Sequence, residues 1–325
     1  MNGILQFDGV EHATLDGRPL HLAIGIFDGV HLGHRAVIEA AVKAARESGG
    51  QSAVLTFAPH PSVLLRPAQP TKMLMAASAK ARVLARLRVG AVITQPFTSE
   101  FAKITAEQFL PWLKARLPQL VGVCVGENWR FGQGRVGDVA LLARLGAAEG
   151  LNVFSAPRIT LQGEPISSSR IRAAIEQGEI GAANSMLGYP YLSDGVVKPG
   201  KRLGRTIGFP TLNLEWSPEL RPPFGVYVVR VSGAKSVRPL AAVANYGLRP
   251  TVENAVEPRL EIHVIDRCPY DEGDTLEVEW LQFLRPEIKF SAIDELRAQI
   301  ALDRENAAVF FAKEGLTIKP LTVQQ

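Results

Sequence analysis

The stretch HLAIGIFDGVHLGHRAVI, residues 21–38, decides how the first half of the chain is read. Residues 22–27 form a short apolar run of the length expected of a strand buried on both faces. Asp28-Gly29 is a turn signal, and His31-Leu32-Gly33-His34 follows it. From about Arg35 the pattern predicts a helix, AVIEAAVKAARES, with Val37, Ile38, Ala41, Val42 and Ala45 on one side. Two histidines therefore stand where a strand feeds a helix, the place where an open α/β sheet binds ligands. The helix start offers free N–H groups and a positive dipole end to a phosphate. The two imidazoles can donate to phosphate oxygens as charge builds in a transition state. Polar loop residues or a metal pair are the plainer alternatives, but no nearby Cys, Asp or Glu completes a zinc set.

Working outward, strand and helix signals alternate. Strands are expected at 52–57, 91–94, 120–125 and 151–155, and helices at 78–88, 105–117 and 139–150. Thr105 and Asp138 are placed to cap the last two helices, and Pro111 threatens a kink. This rhythm implies an α/β domain, a Rossmann-like parallel sheet with helices on both faces, although GxGxxG is missing. Near Gly188 the rhythm changes to short strands at 195–197, 226–231, 240–244, 260–265 and 276–281, implying an antiparallel barrel or sandwich. A helix over 292–313 closes the pattern, with Ile293, Leu296, Ile300, Phe310 and Phe311 as packing candidates. The expected domains are 1–187 and 188–325.

The 325 residues are 46% hydrophobic and 21% charged, ordinary for a globular chain, and contain no apolar run long enough for a membrane span. Residues 1–190 carry 19 Lys and Arg against 14 Asp and Glu, and the remainder 17 against 18. That mild basic excess suits a polyphosphate and is weak for a nucleic-acid surface. Two distant cysteines and the lack of a signal-like start point to a reduced, cytoplasmic protein.

Other segments carry chemical possibilities. GENWRFGQGRVGD (126–138) could wrap a ring system, with Asn128 reading polar edges and Trp129 or Phe131 stacking, or could be a connection with its aromatics in the core. ISSSRIR (166–172) reads as a capped helix start whose arginines oppose the dipole unless an anion binds there. Thr56 could line the same crevice, whereas His60 is as easily a loop residue. KPGKRLGRTIGFPTLNL (198–214) sets Lys198, Lys201, Arg202 and Arg205 among Gly200, Gly204 and Gly208. Thr211 and Asn213 alternate on one strand face and could hold a magnesium ion, or be a polar strand face. Glu261 is a candidate base or a solvated strand residue, and His263 shares its face.

Taken in order, GIFDGVHLGH, TFAPHP, GENWRFGQGRVGD, ISSSRIR, GRTIGFPTLNL, GVYVV, ANYGLRPTV, LEIHVID and FLRPEIKF resemble the bacterial bifunctional riboflavin kinase/FMN adenylyltransferases across nearly the whole chain. The resemblance implies that an antiparallel β-barrel riboflavin kinase domain transfers the γ-phosphoryl of ATP to riboflavin. The nucleotidylyltransferase-like first domain would then join FMN to AMP, releasing pyrophosphate and giving FAD. It implies Mg2+, with ATP, riboflavin, FMN and FAD as substrates or products, and neither nucleic acid nor membrane as partner. It says nothing of oligomeric state. His31 and His34 match the family's HxGH, Glu261 its base, and Thr211 and Asn213 its metal pair. Gly25, Phe27, Asp28, Gly29, Asn128, Ser168, Ser169, Arg172, Gly204, Arg205, Gly208 and Pro210 match its nucleotide and flavin positions. Leu212 replaces a small residue of the family's PTAN motif and, by alternation, should point away from the metal. Ser169 stands where the family often has Thr, keeping the hydroxyl. DRCPYDEG (266–273) departs from the family's turn, so flavin contacts are not carried over to it. The rival readings are an adenylyltransferase with a silent barrel, and a protein that binds RNA or senses flavin nucleotides.

Overall fold

In the computed structural model, which describes residues 4–200, 203–250 and 256–315, the chain divides into two compact units, Met1–Ser168 and Ser169–Gln325. The first contains β1 (Leu5–Asp8), β2 (Leu20–Ile24), α1 (Leu32–Glu47), β3 (Gln51–Ala58), α2 (Pro61–Leu65), α3 (Ala77–Arg86) and β4 (Ala91–Pro96). It continues through α4 (Ala106–Arg116), β5 (Leu120–Gly126), α5 (Val139–Ala148), β6 (Asn152–Ala156), and the small hairpin β7 (Thr160–Leu161) and β8 (Glu164–Pro165).

Six parallel strands form one sheet in the order β1-β4-β3-β2-β5-β6. The chain leaves β2 toward β3 on one side and returns to β5 on the other, so the switch point lies at the carboxyl end of β2. Every residue of β2 is buried because both faces are covered. Leu20, Leu22 and Ile24 pack with Phe109, Leu113 and Leu142 of α4 and α5. On the opposite face, His21 Nε2 lies 2.9 Å from the Oγ of Ser48, the residue that ends α1.

The structure departs from the sequence reading in three places here. A sixth strand, β1, was not anticipated, because LQFD is short and mostly exposed at the sheet edge. Helix α1 begins at Leu32 rather than near Arg35, which makes His31 its N-cap. Pro111 is accommodated inside α4, which runs on to Arg116 and starts with a reciprocal Thr105–Gln108 capping box.

The second unit holds α6 (Ser168–Glu176), which begins on the dividing residue, then α7 (Ile180–Leu187), β9 (Tyr191–Lys198), α8 (Leu203–Thr206), β10 (Leu212–Glu215), β11 (Gly225–Ser232), β12 (Leu240–Pro250), β13 (Val256–Val264), β14 (Thr275–Pro286) and α9 (Ile293–Lys313). The strands close an antiparallel barrel in the order β10-β13-β12-β11-β14-β9, with β9 pairing β10. Alternation along β11 sends Tyr227 toward Trp280, 4.8 Å between ring centroids. Val226 and Val228 turn to the other face, where Ala307 and Phe311 of α9 cover them with Val243 and Ile265. Ile293 is exposed, contrary to expectation, whereas Phe311 is buried as expected, together with Asp303, Arg304 and Ala307, and Phe310 packs beside it.

Trp280 is fully buried, donates from Nε1 to Ser193 Oγ at 2.8 Å and meets Trp216, Tyr227 and Tyr246. Trp280→Ala is expected to cost about 3–5 kcal/mol of stability, read as a lower midpoint in chemical denaturation.

Candidate functional sites

The turn joining β2 to α1 is the first site. Its backbone enters the left-handed region at Phe27, Gly29 and Val30, with φ of 49°, 80° and 37°. Two non-glycine residues in that region need support from their surroundings. The Ile26 carbonyl accepts from Thr56 Oγ1 at 2.8 Å and from Lys80 Nζ at 3.0 Å. The Asp28 carboxylate, only 1% exposed, accepts from the Leu74 N–H at 3.0 and 3.1 Å. Ser168 Oγ donates to the Asp28 carbonyl at 2.9 Å. Gly25 is required by close approach, since a Cβ there would stand 2.9 Å from the Phe27 ring.

This turn delivers both histidines to the first turn of α1 at the sheet's switch point. His31, 5% exposed, accepts the His34 N–H on its Nδ1 at 3.3 Å. An accepting Nδ1 puts the proton of a neutral ring on Nε2, leaving that edge as a donor. The two rings stack with centroids 3.6 Å apart and planes 17° apart, and Phe27 meets His34 edge-on at 5.3 Å. Phe27 is buried, so its ring braces the histidine from behind.

Asn128 follows β5, the parallel neighbour of β2, and so leaves the same sheet edge. It is exposed, and its Oδ1 accepts from Arg158 Nε at 2.8 Å. Trp129 and Phe131 do not form an open stacking platform. They stack on each other at 4.8 Å and pack against Phe109 in the core, as the plainer reading of that loop had it. Thr56 is buried as a prop for Ile26, and His60 caps α2 by accepting the Ser62 N–H. Ser169, exposed, and Arg172, half-buried, lie in α6 within the second unit.

The second site is a cleft of about 240 Å³ between the outer wall of the barrel and α9. Asn213, Asn245, Glu261 and His263 line it from three neighbouring strands, with Thr211 just before β10 and Leu296, Ile300 and Asp303 from α9. Register makes the grouping unavoidable, because Asn213 and Asn245 both pair across from Glu261. Leu212 is not among the lining residues, as alternation required. Among the described residues the buried Asn213 Oδ1 has no hydrogen-bond partner, an acceptor suited to a donor or a cation.

His263 Nδ1 lies 2.9 Å from the Pro210 carbonyl, which fixes that nitrogen as the donor and ties β13 to the residue before Thr211. Burial holds this imidazole below the usual histidine range. A Cβ on Gly200 would stand 2.0 Å from Asn213 Nδ2, and one on Gly204 would stand 2.2 Å from the Phe209 carbonyl. Lys198 is paired with Glu215 at 3.1 Å on the surface. Lys201 and Arg202 lie outside the described residues, as does the side chain of Arg205. Arg285 makes a forked pair with Asp303, 2.9 and 2.6 Å, clasping α9 to the wall. Tyr270 of the altered 266–273 turn is buried and does not line the cleft.

Sequence reasoning missed Lys80, Asn245 and the Arg285–Asp303 clasp. Lys80 left a signal: it shares an apolar stripe with Val83, Leu84 and Leu87. Asn245 and Arg285 lie within ANYGLRPTV and FLRPEIKF, but only the barrel's register and the seat of α9 bring them, with Asp303, to the cleft.

Among the described residues no helix is long and apolar enough to cross a membrane. Residues 15–170 match the FAD synthetase family model and residues 187–311 the riboflavin kinase model. The bifunctional riboflavin kinase/FMN adenylyltransferase of Listeria monocytogenes is 37% identical over 90% of this chain and 92% of its own. That of Escherichia coli K12 is 37% identical over 91% and 93%. A Streptococcus pneumoniae structure described as a macrolide-efflux protein superposes with a TM-score of 0.83 at 30% identity, covering 94% of this chain and 98% of that one. Two domain models in succession, and relatives aligned over nearly their full length, leave one conclusion: the chain belongs to the bifunctional riboflavin kinase/FMN adenylyltransferases, transferases that use ATP to make FMN and then FAD.

Proposed function

We propose that the cleft under α9 phosphorylates riboflavin and that the His31/His34 edge adenylylates FMN. The observation that carries the first assignment is the convergence of Thr211, Asn213 and Glu261 on one cleft. A silent barrel would not need those three to meet. Glu261, directly across from Asn213, takes the proton of the riboflavin 5′-hydroxyl as its oxygen attacks the γ-phosphorus of ATP, and the β-γ bridging oxygen departs with ADP. Gly204 and Arg205 of α8, with Gly208 and Pro210 in the loop that follows, receive the ATP phosphates.

Magnesium fits between Thr211 and Asn213. Both offer the hard oxygen donors it prefers, and the Asn213 Oδ1, buried without a partner among the described residues, is the acceptor such an ion would satisfy. Bound there, it would offset the charge of the ATP phosphates.

In the first domain, the FMN phosphate attacks the α-phosphorus of ATP and pyrophosphate leaves. A phosphate is already a nucleophile at neutral pH, so positioning and charge stabilisation are what the protein must add. His31 Nε2–H and His34 donate to the oxygens where charge develops, aided by the first N–H groups of α1. Gly25, Phe27, Asp28 and Gly29 act by shaping the turn. Asn128 is assigned to nucleotide or flavin edges, and Ser168, Ser169 and Arg172 to phosphate, on their motifs.

The functional boundary is proposed at 187/188, where α7 ends on left-handed Gly188 and the riboflavin kinase match begins. A cytoplasmic location suits two free cysteines, one of them, Cys124, with its thiol pushed up to about 11 by burial.

The deciding experiment supplies purified protein with ATP and Mg2+, and either riboflavin or FMN, and separates the flavins by chromatography. FMN and FAD from riboflavin, with FAD from FMN, are expected; FAD from FMN alone would mean a silent barrel. His31→Ala should lower FAD formation by roughly 10²–10³-fold and leave FMN formation intact. Glu261→Gln should do the reverse, lowering FMN formation by about 10²-fold or more. Gly200→Ala should displace the Asn213 amide and raise the Mg2+ concentration needed for half-maximal FMN formation.

A further inference from the structure

We propose that Lys80 is a positioning residue for adenylyl transfer, holding the Ile26 carbonyl so that the following turn presents His31 and His34. The proposal rests on the reading above that this pair serves that reaction. Lys80 is 8% exposed and stands on the apolar stripe of α3, where a leucine or methionine would pack without the cost of burying a charge. A buried cationic donor at that position points to a use for its charge and its hydrogen bonds.

Its bonds identify that use. Nζ donates to the Ile26 carbonyl at 3.0 Å and to Thr56 Oγ1 at 3.3 Å, while Thr56 spends its own hydrogen on the same carbonyl. Downstream by two residues, Asp28 is gripped by the Leu74 N–H. Both grips come from one short segment, 74–80, and between them lies left-handed Phe27. Release of the upstream grip lets the turn relax toward ordinary backbone angles, and the N-cap at His31 moves with it. A displacement of about 1 Å at reacting groups is enough to cost roughly 10²-fold in rate. Lys80 does not touch the histidines, so it acts through the turn.

The ammonium also gives the arrangement a titration. The groups facing it are the Ile26 carbonyl from the end of β2, the Thr56 hydroxyl from β3 and the Asp28 carboxylate from the turn. Burial lowers its pKa below the ordinary lysine range, and Asp28 opposes that shift without cancelling it. The charged, gripping form is thus complete below that depressed pKa and lost as pH rises through it.

The test uses full-length Lys80→Met, Lys80→Arg and His31→Ala, measuring kcat and KM for FAD formation and, as an internal control, FMN formation. Lys80→Met should lower kcat for FAD formation by roughly 10–10²-fold, with KM for ATP within about threefold and FMN formation unchanged. Lys80→Arg, which keeps charge and donors, should recover part of the loss. The wild-type kcat should fall on the alkaline side below the pH at which an ordinary lysine titrates, and Lys80→Met should lack that limb. An unchanged kcat in Lys80→Met, or equal loss of both activities, overturns the proposal. If Lys80→Met does not fold, a wild-type kcat flat through the alkaline range overturns it instead. Intact FAD formation in His31→Ala would defeat the underlying assignment of the histidines, whereas its loss beside a normal Lys80→Met would defeat the role of Lys80 alone.

Discussion

The first domain depends on one constraint: the chain must turn sharply between a fully buried strand and a helix that starts within eight residues of the strand's end. Water cannot satisfy the backbone at a buried strand terminus, so the protein must do so itself. Thr56 and Lys80 supply the donors for Ile26, and Asp28 and Ser168 complete the frame. Left-handed angles at Phe27 and Val30 cost on the order of 1–3 kcal/mol each, and that frame is what keeps them. The result is an N-cap made of histidine, which sets His31 at the switch point of the sheet.

The second domain solves a similar problem on a different scaffold. A small barrel fills its interior with large side chains, here the aromatic Trp280, Tyr227 and Tyr246. The cleft is therefore built on the outer wall, where α9 turns a strand face into an enclosed surface. Glu261 and His263 point outward because Leu260, Ile262 and Val264 must point inward. Chemistry and core are two sides of the same strand alternation.

This explains what the sequence could reveal. Long apolar strands and capped helices were legible because burial and capping act locally, as Thr105 and Asp138 illustrate. The relation of Glu261 to Asn213 was not, because cross-strand register depends on closure between segments far apart in the chain. The start of α1 was misread because Gly33 is a poor helix former and histidine an uncommon cap. Trp129 and Phe131 looked available for stacking, and only the position of Phe109 on α4 shows that they are already occupied. On α9 the apolar Ile293 suggested burial, yet the helix docks through Asp303 and Arg304, whose partners Arg285 and Ile265 lie on the barrel side.

Strand β10 is four residues long, shorter than the other five staves of the barrel, and it forms the seam that joins β13 to β9. That seam carries Asn213, and its register sets Asn213 against Glu261. While the chain is still emerging from the ribosome, β10 is made before β13, so the pairing that unites these two residues waits until the strands between them have been synthesised. The cleft and the closed barrel come into being together, and an incomplete or half-folded barrel lacks the pairing that sets Asn213 against Glu261.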